Sequence, residues 1–519
     1  MVLPPLVSQL LQIRPSDSPE VTHLRRELSW AHLKIQVLEE RLRKQRIDKY
    51  GPASESLTNK QLELLEDEPG VSAEEVAAEA GRDPQVLEVE ARPGKRERRP
   101  HPGRQELPEG LPRVERVVSL PEAQCNCGAC GKVLAVIGFE SSEQLDVEPA
   151  KYIVRVTRRE KRACRHCGEA GVKTAANAAR IVEKSLVSDR VIVDTVIAKY
   201  CDHVPLYRQS VMLERDAGVE IHRATMDGWV MQVGELLRPV AHLMLRNLVS
   251  GSYLQADETP VDVQVRNGKG KNHQAYLWQY SRPGGEAVFE FQMGRGREGP
   301  EKVLQKFEGI LQTDGYQVYN KVGGEKLVQA ACWAHARRKF FDAVKVSPKD
   351  AAAIGMVDRM NAVFAVDAEA REISLTPEQR LTLRREKMQP MVLAMETELK
   401  RLSREALPAS ALGQAVNYTL SLWVRLRRVL EYPELELSTN LAENSMRGIA
   451  LGRKNWIHVG SPVAGPKVAA ILSVLESCRR LRMPVREYLL DVLPGLGRVN
   501  IQDLDSRTPA GWLRRQKVG

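Results

Sequence analysis

The stretch between residues 252 and 345 most strongly limits how this chain can fold, because its strand-like patterns interrupt a largely helical sequence. Runs such as "SYLQADETPVDV", "HQAYLWQYS" and "EAVFEFQMG" have the alternation and the β-branched and aromatic content of strands. At 519 residues the chain is too long for a single core, since a domain averages about 150 residues. We therefore predict a multidomain α/β protein.

Charge and cysteine content narrow the class of partner and of site. Lys and Arg number 77 against 67 Asp and Glu, a net charge of +10 that favours a polyanionic partner, although ribosomal or membrane-surface binding fits equally well. The sequence shows neither a membrane-spanning apolar run nor the order of a secretion signal, so we expect a cytoplasmic protein. Eight cysteines in so long a chain do not indicate a disulfide scaffold.

A heptad pattern near the start of the chain predicts a coiled-coil helix. The seam of apolar residues in steps of four and three consists of Leu24, Leu28, Ala31, Ile35, Leu38 and Leu42. The pattern lasts only about three heptads. An amphipathic helix packed on its own chain is therefore the alternative to self-association. A Pro- and Arg-rich linker follows at 91–113, either a solvated spacer or an arm that contacts DNA.

Two C-x-x-C pairs predict a structural zinc site. Cys127 and Cys130 form the first pair and Cys164 and Cys167 the second. Four thiolates in a tetrahedron are the closed geometry of structural zinc, as in a zinc ribbon. Cys125 competes as a ligand, and a redox dithiol is the alternative. The next pattern is helical, with a break at Gly218, and has the outline of a helix-turn-helix.

Three acidic residues are the candidates for catalysis. Asp257 and Asp314 each end a short apolar strand-like run, where a buried charge is costly unless it has a partner. Glu443 is the third candidate, although Asn440 as an N-cap with Glu443 three residues later also fits a capping box. Three converging carboxylates are what two-metal phosphoryl transfer on Mg²⁺ needs. Glu258 is the main rival of Asp257, and Asp262 is a weaker one.

Other polar residues surround these acids in the sequence. The candidate contacts to a DNA backbone are Arg337, Arg338, Lys339, Arg447, Arg453 and Lys454. Cys332 and His335 form a C-x-x-H, for which we expect packing by the cysteine and a phosphate or water contact by the histidine. Trp333, Trp456 and Tyr316 either stack on a base or belong to the core. For Trp333 we favour the core.

Five motifs in order resemble the bacterial insertion-sequence 66 family of DDE transposases. They are "ADETPV", "LQTDGYQVYN", "CWAHARRKFF", "NLAENSMR" and "LGRKNW". The resemblance implies a ribonuclease-H-like catalytic core with Asp257 on its first strand, Asp314 on its fourth and Glu443 on a helix reached after a helical insertion. It also implies Mg²⁺ or Mn²⁺ at these carboxylates. The chain departs from the family pattern at Ser438, Thr439 and Gly448, none of which is a carboxylate.

The resemblance extends over nearly the whole chain and gives a domain organisation. We expect a leucine-zipper-like helical segment at 1–90, a basic linker at 91–116, a zinc module at 117–175, a helix-turn-helix-like region at 176–248, a catalytic core at 249–345 and 436–460, a helical insertion at 346–435, and a helical region at 461–519.

The predicted function is DNA transposition by cleavage of 3′ ends and strand transfer to a target. The expected partners are element ends and target DNA, a second copy of the chain and family-typical accessory proteins, with no membrane. Two alternatives are a catalytically inactive zinc-containing DNA-binding protein and a structure-specific nuclease with the same core.

Overall fold

The computed structural model describes residues 17–50, 152–163, 172–265, 272–456 and 458–518. The chain divides into two compact units, residues 1–86 with 159–519 and residues 87–158. Described residues of the second unit, 152–158, have no regular secondary structure. The predicted zinc ligands Cys127, Cys130, Cys164 and Cys167 lie outside the described residues, as does the linker.

A long helix opens the described chain and exposes its predicted seam. Helix α1 spans Pro19–Tyr50. Leu24 is 65% exposed, Ile35 53% and Leu42 58%, so these side chains do not pack closely on the described remainder of the chain. The helix does contact the rest of its unit at another position, where Glu40 accepts a hydrogen bond from the backbone N–H of Ala411 at 3.0 Å.

After α1, three more helices precede the main sheet in the described part of the chain. A short antiparallel pair, β1 and β2, comes first (Lys161–Ala163 and Val172–Thr174), and the helices are α2 Asp189–Tyr200, α3 Leu206–Ala217 and α4 Arg223–Val249. The expected break between α3 and α4 is confirmed, since Gly218 adopts a left-handed φ of 66° after α3 and the His222 side chain caps α4. Beyond its exposed first turn, α4 buries Val230, Val233 and other apolar residues in the core.

A five-stranded mixed sheet forms the centre of the larger unit and confirms the α/β class. Its strands are β3 Tyr253–Val263, β4 His273–Ser281, β5 Ala287–Gln292, β6 Ile310–Thr313 and β7 Val328–Ala331, with helix α5 (Glu298–Leu304) between β5 and β6. The spatial order is β5, β4, β3, β6, β7. Strands β3, β4 and β5 pair antiparallel, whereas β6 and β7 run parallel to β3.

Helices after β7 form a second apolar cluster against one side of the sheet. They are α6 Trp333–Val346, α7 Ala351–Glu372, α8 Pro377–Leu383, α9 Gln389–Glu405, α10 Ala411–Ser421 and α11 Trp423–Leu426, with a π turn at Arg384–Met388. Trp333 belongs to the core, as expected, since it is fully buried and donates its indole N–H to the Leu426 carbonyl at 2.9 Å. This block therefore shares its core with the strands Ile310–Thr313 and Val328–Ala331.

Four further α-helices follow in the described part of the chain. They are α12 Asn440–Trp456, α13 Gly465–Arg480, α14 Val485–Val492 and α15 Pro509–Val518. Helix α13 packs closely on α4, because a Cβ at Gly234 would lie 2.7 Å from the Lys467 Cβ atom. Among the described residues, no helix is both long and apolar enough to cross a membrane.

Candidate active site

A four-residue pattern, L-Q-x-D, occurs on two neighbouring strands. It stands at 254–257 on β3 and at 311–314, where Asp314 directly follows the last residue of β6. The strands pair in parallel with Leu254 opposite Leu311 and Gln255 opposite Gln312. Asp257 and Asp314 keep the same offset of 57 positions, so the sheet register places them at neighbouring positions where β6 ends. The expectation that Asp257 also ends its strand is wrong, because β3 continues to Val263.

The two glutamines of this pattern tie the sheet to the segment that leads into α12. Gln255 and Gln312 are fully buried, and the Gln255 amide donates to the Gln312 side-chain oxygen at 3.0 Å. Gln255 also donates to the Ser438 carbonyl at 2.9 Å, and Gln312 to the Glu436 carbonyl at 2.7 Å. Sequence reasoning missed these residues, although the repeated L-Q-x-D was a signal that could have found them.

Glu443 lies in the first turn of α12 and faces α6. Its Oε1 atom is 3.3 Å from His335 Nε2, and its Oε2 atom accepts a hydrogen bond from Arg338 Nη2, also at 3.3 Å. The capping box with Asn440 as N-cap is wrong by one position. The Thr439 carbonyl accepts the first helical bond, from the Glu443 N–H at 3.1 Å, which makes Thr439 the N-cap.

The C-x-x-H pair lies directly behind Glu443. Cys332 is buried, and its Sγ atom accepts a hydrogen bond from the Thr439 N–H at 3.3 Å. Burial lowers the pKa of His335, but the charge of the adjacent Cys332 as a thiolate, its hydrogen bond to the ring and the Glu443 carboxylate outweigh burial and raise this pKa to about 9. The imidazolium form is therefore favoured next to Glu443. The expectation of packing for Cys332 is confirmed, whereas His335 faces a carboxylate.

Negative charge accumulates around Asp257. Burial raises the pKa of Asp257, and the carboxylates of Glu443, Glu258 and Asp314 raise it further, to about 7. A hydrogen bond from the Glu258 N–H to Oδ1, at 2.8 Å, offsets only part of this rise. Glu443 and Asp314 are therefore both within electrostatic range of Asp257.

Glu258, the rival of Asp257, is already engaged by the protein. Its side chain is 3% exposed, forms an ion pair with Arg295 at 2.7 Å and accepts a hydrogen bond from the Tyr319 hydroxyl at 3.2 Å. Asp262, the weaker rival, lies on β3 five residues after Asp257 and is exposed. Within the described chain, neither Asp257 nor Asp314 has a cationic side chain as a hydrogen-bond partner, so both keep oxygen atoms for another ligand.

The donor chemistry of these acids suits a hard divalent cation. Carboxylate oxygens are the preferred ligands of Mg²⁺, and a cation would relieve the repulsion that raises the Asp257 pKa. Oε1 of Glu443 is buried and has no hydrogen bond in the described part of the chain, although His335 Nε2 lies 3.3 Å away, so this oxygen keeps acceptor capacity for a cation. Over the same residues, no three His, Cys, Asp or Glu side chains are arranged as a metal centre. Glu443 is held by His335 and Arg338 instead.

The helical block after α6 supports the turn that follows Asp314. The Tyr316 N–H donates to Asp314 Oδ1 at 2.8 Å, and the Tyr418 hydroxyl of α10 donates to the Asp314 carbonyl. Gly315 has a left-handed φ of 94°, and a Cβ at this position would lie 2.5 Å from the Leu422 Cδ1 atom. Both the backbone conformation and this close packing therefore disfavour any residue other than glycine at position 315.

The six predicted phosphate contacts differ in how available they are. Arg337 donates to the Asn361 side chain at 2.6 Å, Arg338 to Glu443, and Arg453 to the Pro260 carbonyl. Lys339 and Lys454 are exposed, and Arg447 is partly buried. Lys339 also lies over the Tyr418 ring, 5.3 Å from its centroid. The two lysines are thus the most accessible of the six.

Comparisons with known proteins point to one family of proteins. The model of the Transposase IS66 family matches residues 184–466, that of the zinc-finger binding domain of transposase IS66 matches 124–168, and that of Transposase C of IS166 homeodomain matches 37–116. Two similar proteins come from Sinorhizobium fredii. Uncharacterized protein y4qI is 34% identical over 74% of this chain and 72% of its own length, and uncharacterized protein y4jD is 31% identical over 80% and 82%.

The first of these models covers more than half of the chain and includes all three carboxylates, Asp257, Asp314 and Glu443. The second covers both C-x-x-C pairs and supports Zn²⁺ as a ligand of that segment. The chain belongs to the IS66 family of transposases and is a transposase-related, DNA-binding protein with a zinc-finger domain.

Proposed function

We propose that the protein is a DDE-type DNA transposase, which cleaves the 3′ ends of its insertion sequence and transfers them to target DNA. The observation that carries this proposal is the register of β3 and β6, which places Asp257 and Asp314 at neighbouring positions where β6 ends. Glu443 on α12 contributes to the raised pKa of Asp257, which supports its place as the third acid.

The proposed catalytic core is ribonuclease-H-like and consists of residues 249–345 and 436–460, with 346–435 as an insertion. Three antiparallel strands followed by two strands parallel to the first support this proposal. Asp257 lies on the first of these strands, Asp314 follows the fourth, and Glu443 lies on the helix after the insertion.

Asp257, Asp314 and Glu443 are the residues that would hold Mg²⁺ or Mn²⁺. When bound, these ions supply activation of a water or a DNA 3′ hydroxyl and stabilise the leaving oxygen. The chain's own residues set the geometry. Gln255 and Gln312 fix the strands relative to the start of α12, and His335 and Arg338 orient the Glu443 carboxylate.

DNA contacts and assembly complete the proposal. Lys339, Lys454 and Arg447 are proposed to contact phosphates near the cleavage position. Arg337 and Arg453 are proposed to join them once DNA competes for their present acceptors, and Arg338 while it remains bound to Glu443. The exposed seam of α1 is proposed to pair with the same helix of a second copy, since isolated apolar heptads are stabilised by such pairing. Accessory transposition proteins are the remaining proposed partners.

A nicking assay on the full-length chain tests the catalytic proposal. The substrate is a DNA fragment that contains the gene's own flanking sequence, incubated with Mg²⁺, with Mn²⁺ or with EDTA. Asp314→Asn and Glu443→Gln are compared with Asp262→Asn, a matched control because Asp262 is an exposed aspartate on the same strand as Asp257. We expect metal-dependent nicking by the wild type and the control, and at least a 10²-fold loss in the other two variants.

Full nicking by folded Asp314→Asn or Glu443→Gln would overturn the mechanism. Binding of the fragment without nicking under any metal condition would instead favour the non-catalytic DNA-binding alternative. Cutting of arbitrary branched DNA without joining to a target would favour the structure-specific nuclease.

A further inference from the structure

An arginine outside the predicted phosphate contacts lies between the neighbours of the two aspartates. Arg295 follows β5, and its Nε and Nη2 atoms donate to Glu258 Oε1 at 3.1 and 2.7 Å. Its guanidinium carbon lies 4.2 Å from the centroid of the Tyr316 ring. Glu258 is next to Asp257 in sequence, and the Tyr316 N–H donates to Asp314. Arg295 thus connects Glu258, the strand neighbour of Asp257, to the turn that follows Asp314.

This arginine is held in place yet remains open to solvent. Its side chain is 48% exposed, whereas that of its partner Glu258 is 3% exposed. Tyr316 stacks on the guanidinium and also lies edge-to-face with Tyr319, at a centroid distance of 6.5 Å. The ring centroid of Tyr276 lies 5.8 Å from the guanidinium carbon of Arg295. A guanidinium fixed by a carboxylate and an aromatic ring loses less entropy when it binds a ligand.

Arg295 also keeps hydrogen-bond donors that Glu258 does not use. A guanidinium has five N–H donors in a planar fork. Two are directed at Glu258, and Nη1 donates to no acceptor among the described residues. The free edge has the geometry that binds two oxygens of a phosphate. Arg295 is linked to the two aspartates through its neighbours, since Glu258 adjoins Asp257 and the Tyr316 N–H binds Asp314.

We propose that Arg295, supported by Tyr316 and Glu258, is a binding site for one phosphate of the DNA strand next to the phosphodiester that is cut. This inference rests on the proposed function, because it assigns the strand that the site receives. The ligand class is a nucleotide phosphate in DNA, and the role of the site is to position the strand across the pair Asp257 and Asp314.

Methylphosphonate substitution tests this site by removing the charge of one phosphate at a time. The probe is a duplex of the gene's flanking sequence with single methylphosphonates along one strand, and its binding to the full-length chain is measured by fluorescence anisotropy in Ca²⁺. Arg295→Gln leaves Glu258 with a hydrogen-bond donor. The double variant Glu258→Gln/Arg295→Gln also removes the buried charge, in case the single variant folds poorly. Arg297→Ala is the matched control, an exposed arginine in the same loop.

We expect one or two methylphosphonate positions to weaken wild-type binding about 5- to 10-fold and to have no further effect on Arg295→Gln, while Arg297→Ala retains the wild-type pattern. If each methylphosphonate weakens DNA binding by the two Arg295 variants as much as it weakens binding by the wild type, the site would be overturned, even if the protein binds and nicks DNA. The expected coupling without any nicking would support the site and reject the catalytic proposal. Failure of the wild type to bind the duplex would overturn both.

Discussion

The Nε2 atom of His335 lies 3.3 Å from the Oε1 atom of Glu443, across the space between α6 and α12. Arg338, one turn further along α6, binds the other carboxylate oxygen at 3.3 Å. One helix therefore orients the third acid from two directions. Because a carboxylate that binds metal must keep a defined direction, loss of either contact should impair cleavage more than folding.

His335→Ala should lower the nicking rate by about 10- to 100-fold at saturating DNA, with little change in DNA affinity, because the imidazole positions Glu443 and contacts no DNA in this proposal. Single-turnover nicking and anisotropy separate the two effects. His242→Ala, an exposed histidine on α4, is the control. A positioning role is rejected if His335→Ala nicks at the wild-type rate, or if affinity alone falls.

Gly315→Ala should lower stability and the nicking rate more than Gly284→Ala, although both glycines have a left-handed backbone conformation. Gly315 has φ 94° with Leu422 packed against it, whereas Gly284 has φ 69° and open space, with no atom within 4 Å of where a Cβ would lie. Both variants carry backbone strain of about 1 to 3 kcal/mol, but only Gly315→Ala adds a steric clash beside Asp314. The free energy of unfolding in urea and the nicking rate should both fall more for Gly315→Ala than for Gly284→Ala. Equal losses in the two variants would contradict this packing argument.

Metal-free protein should lose stability as pH rises from about 4 to 7. The pKa of Asp257 is raised from 3.8 to about 7 in the folded state, so the unfolded chain gives up this proton at lower pH than the folded chain does. Stability from this group is complete below pH 4 and is lost as pH passes through 7, by at most about 4 kcal/mol at 1.36 kcal/mol per pH unit.

Urea unfolding at pH 5 and pH 8 in EDTA, compared with Asp257→Asn, measures this loss. The asparagine variant lacks the titration and should be relatively more stable at pH 8. Added Mg²⁺ should stabilise the wild type at pH 8 more than the variant. Parallel pH profiles of wild type and variant would show that Asp257 has an ordinary pKa.

Much of this arrangement is readable from local sequence, and the rest depends on contacts between distant residues. The mixed sheet and the break at Gly218 follow from periodicity and turn chemistry, which are local. The environment of Glu443 is not readable in this way, because its sequence neighbours suggest a cap, whereas its partners His335 and Arg338 lie more than 100 positions away. Only the repeated L-Q-x-D gives a local sign of the buried glutamine pair.

The buried ion pair between Arg384 and Asp367 should matter far more for stability than an exposed pair nearby. Arg384 is fully buried and its Nε donates to Asp367 at 2.7 Å. Asp367→Ala leaves the guanidinium without this partner and should cost about 3 to 5 kcal/mol. Glu369→Ala removes an exposed pair with Lys387 and should cost about 0 to 1 kcal/mol. Similar unfolding free energies for both variants would mean that the buried pair is not fully desolvated.

Substitutions on the α1 seam should lower the oligomeric state of the full-length chain. Leu28 and Ile35 are 51% and 53% exposed and lie on the heptad seam, whereas Leu33 is 39% exposed and lies outside it. Leu28→Glu/Ile35→Glu places charges where a second helix would pack, so the assembly should dissociate at concentrations at which Leu33→Glu remains associated. Sedimentation velocity across a concentration series measures the masses. If the seam variant and Leu33→Glu have the same mass as the wild type, assembly uses another surface, and the exposed leucines of α1 must be covered by a different partner.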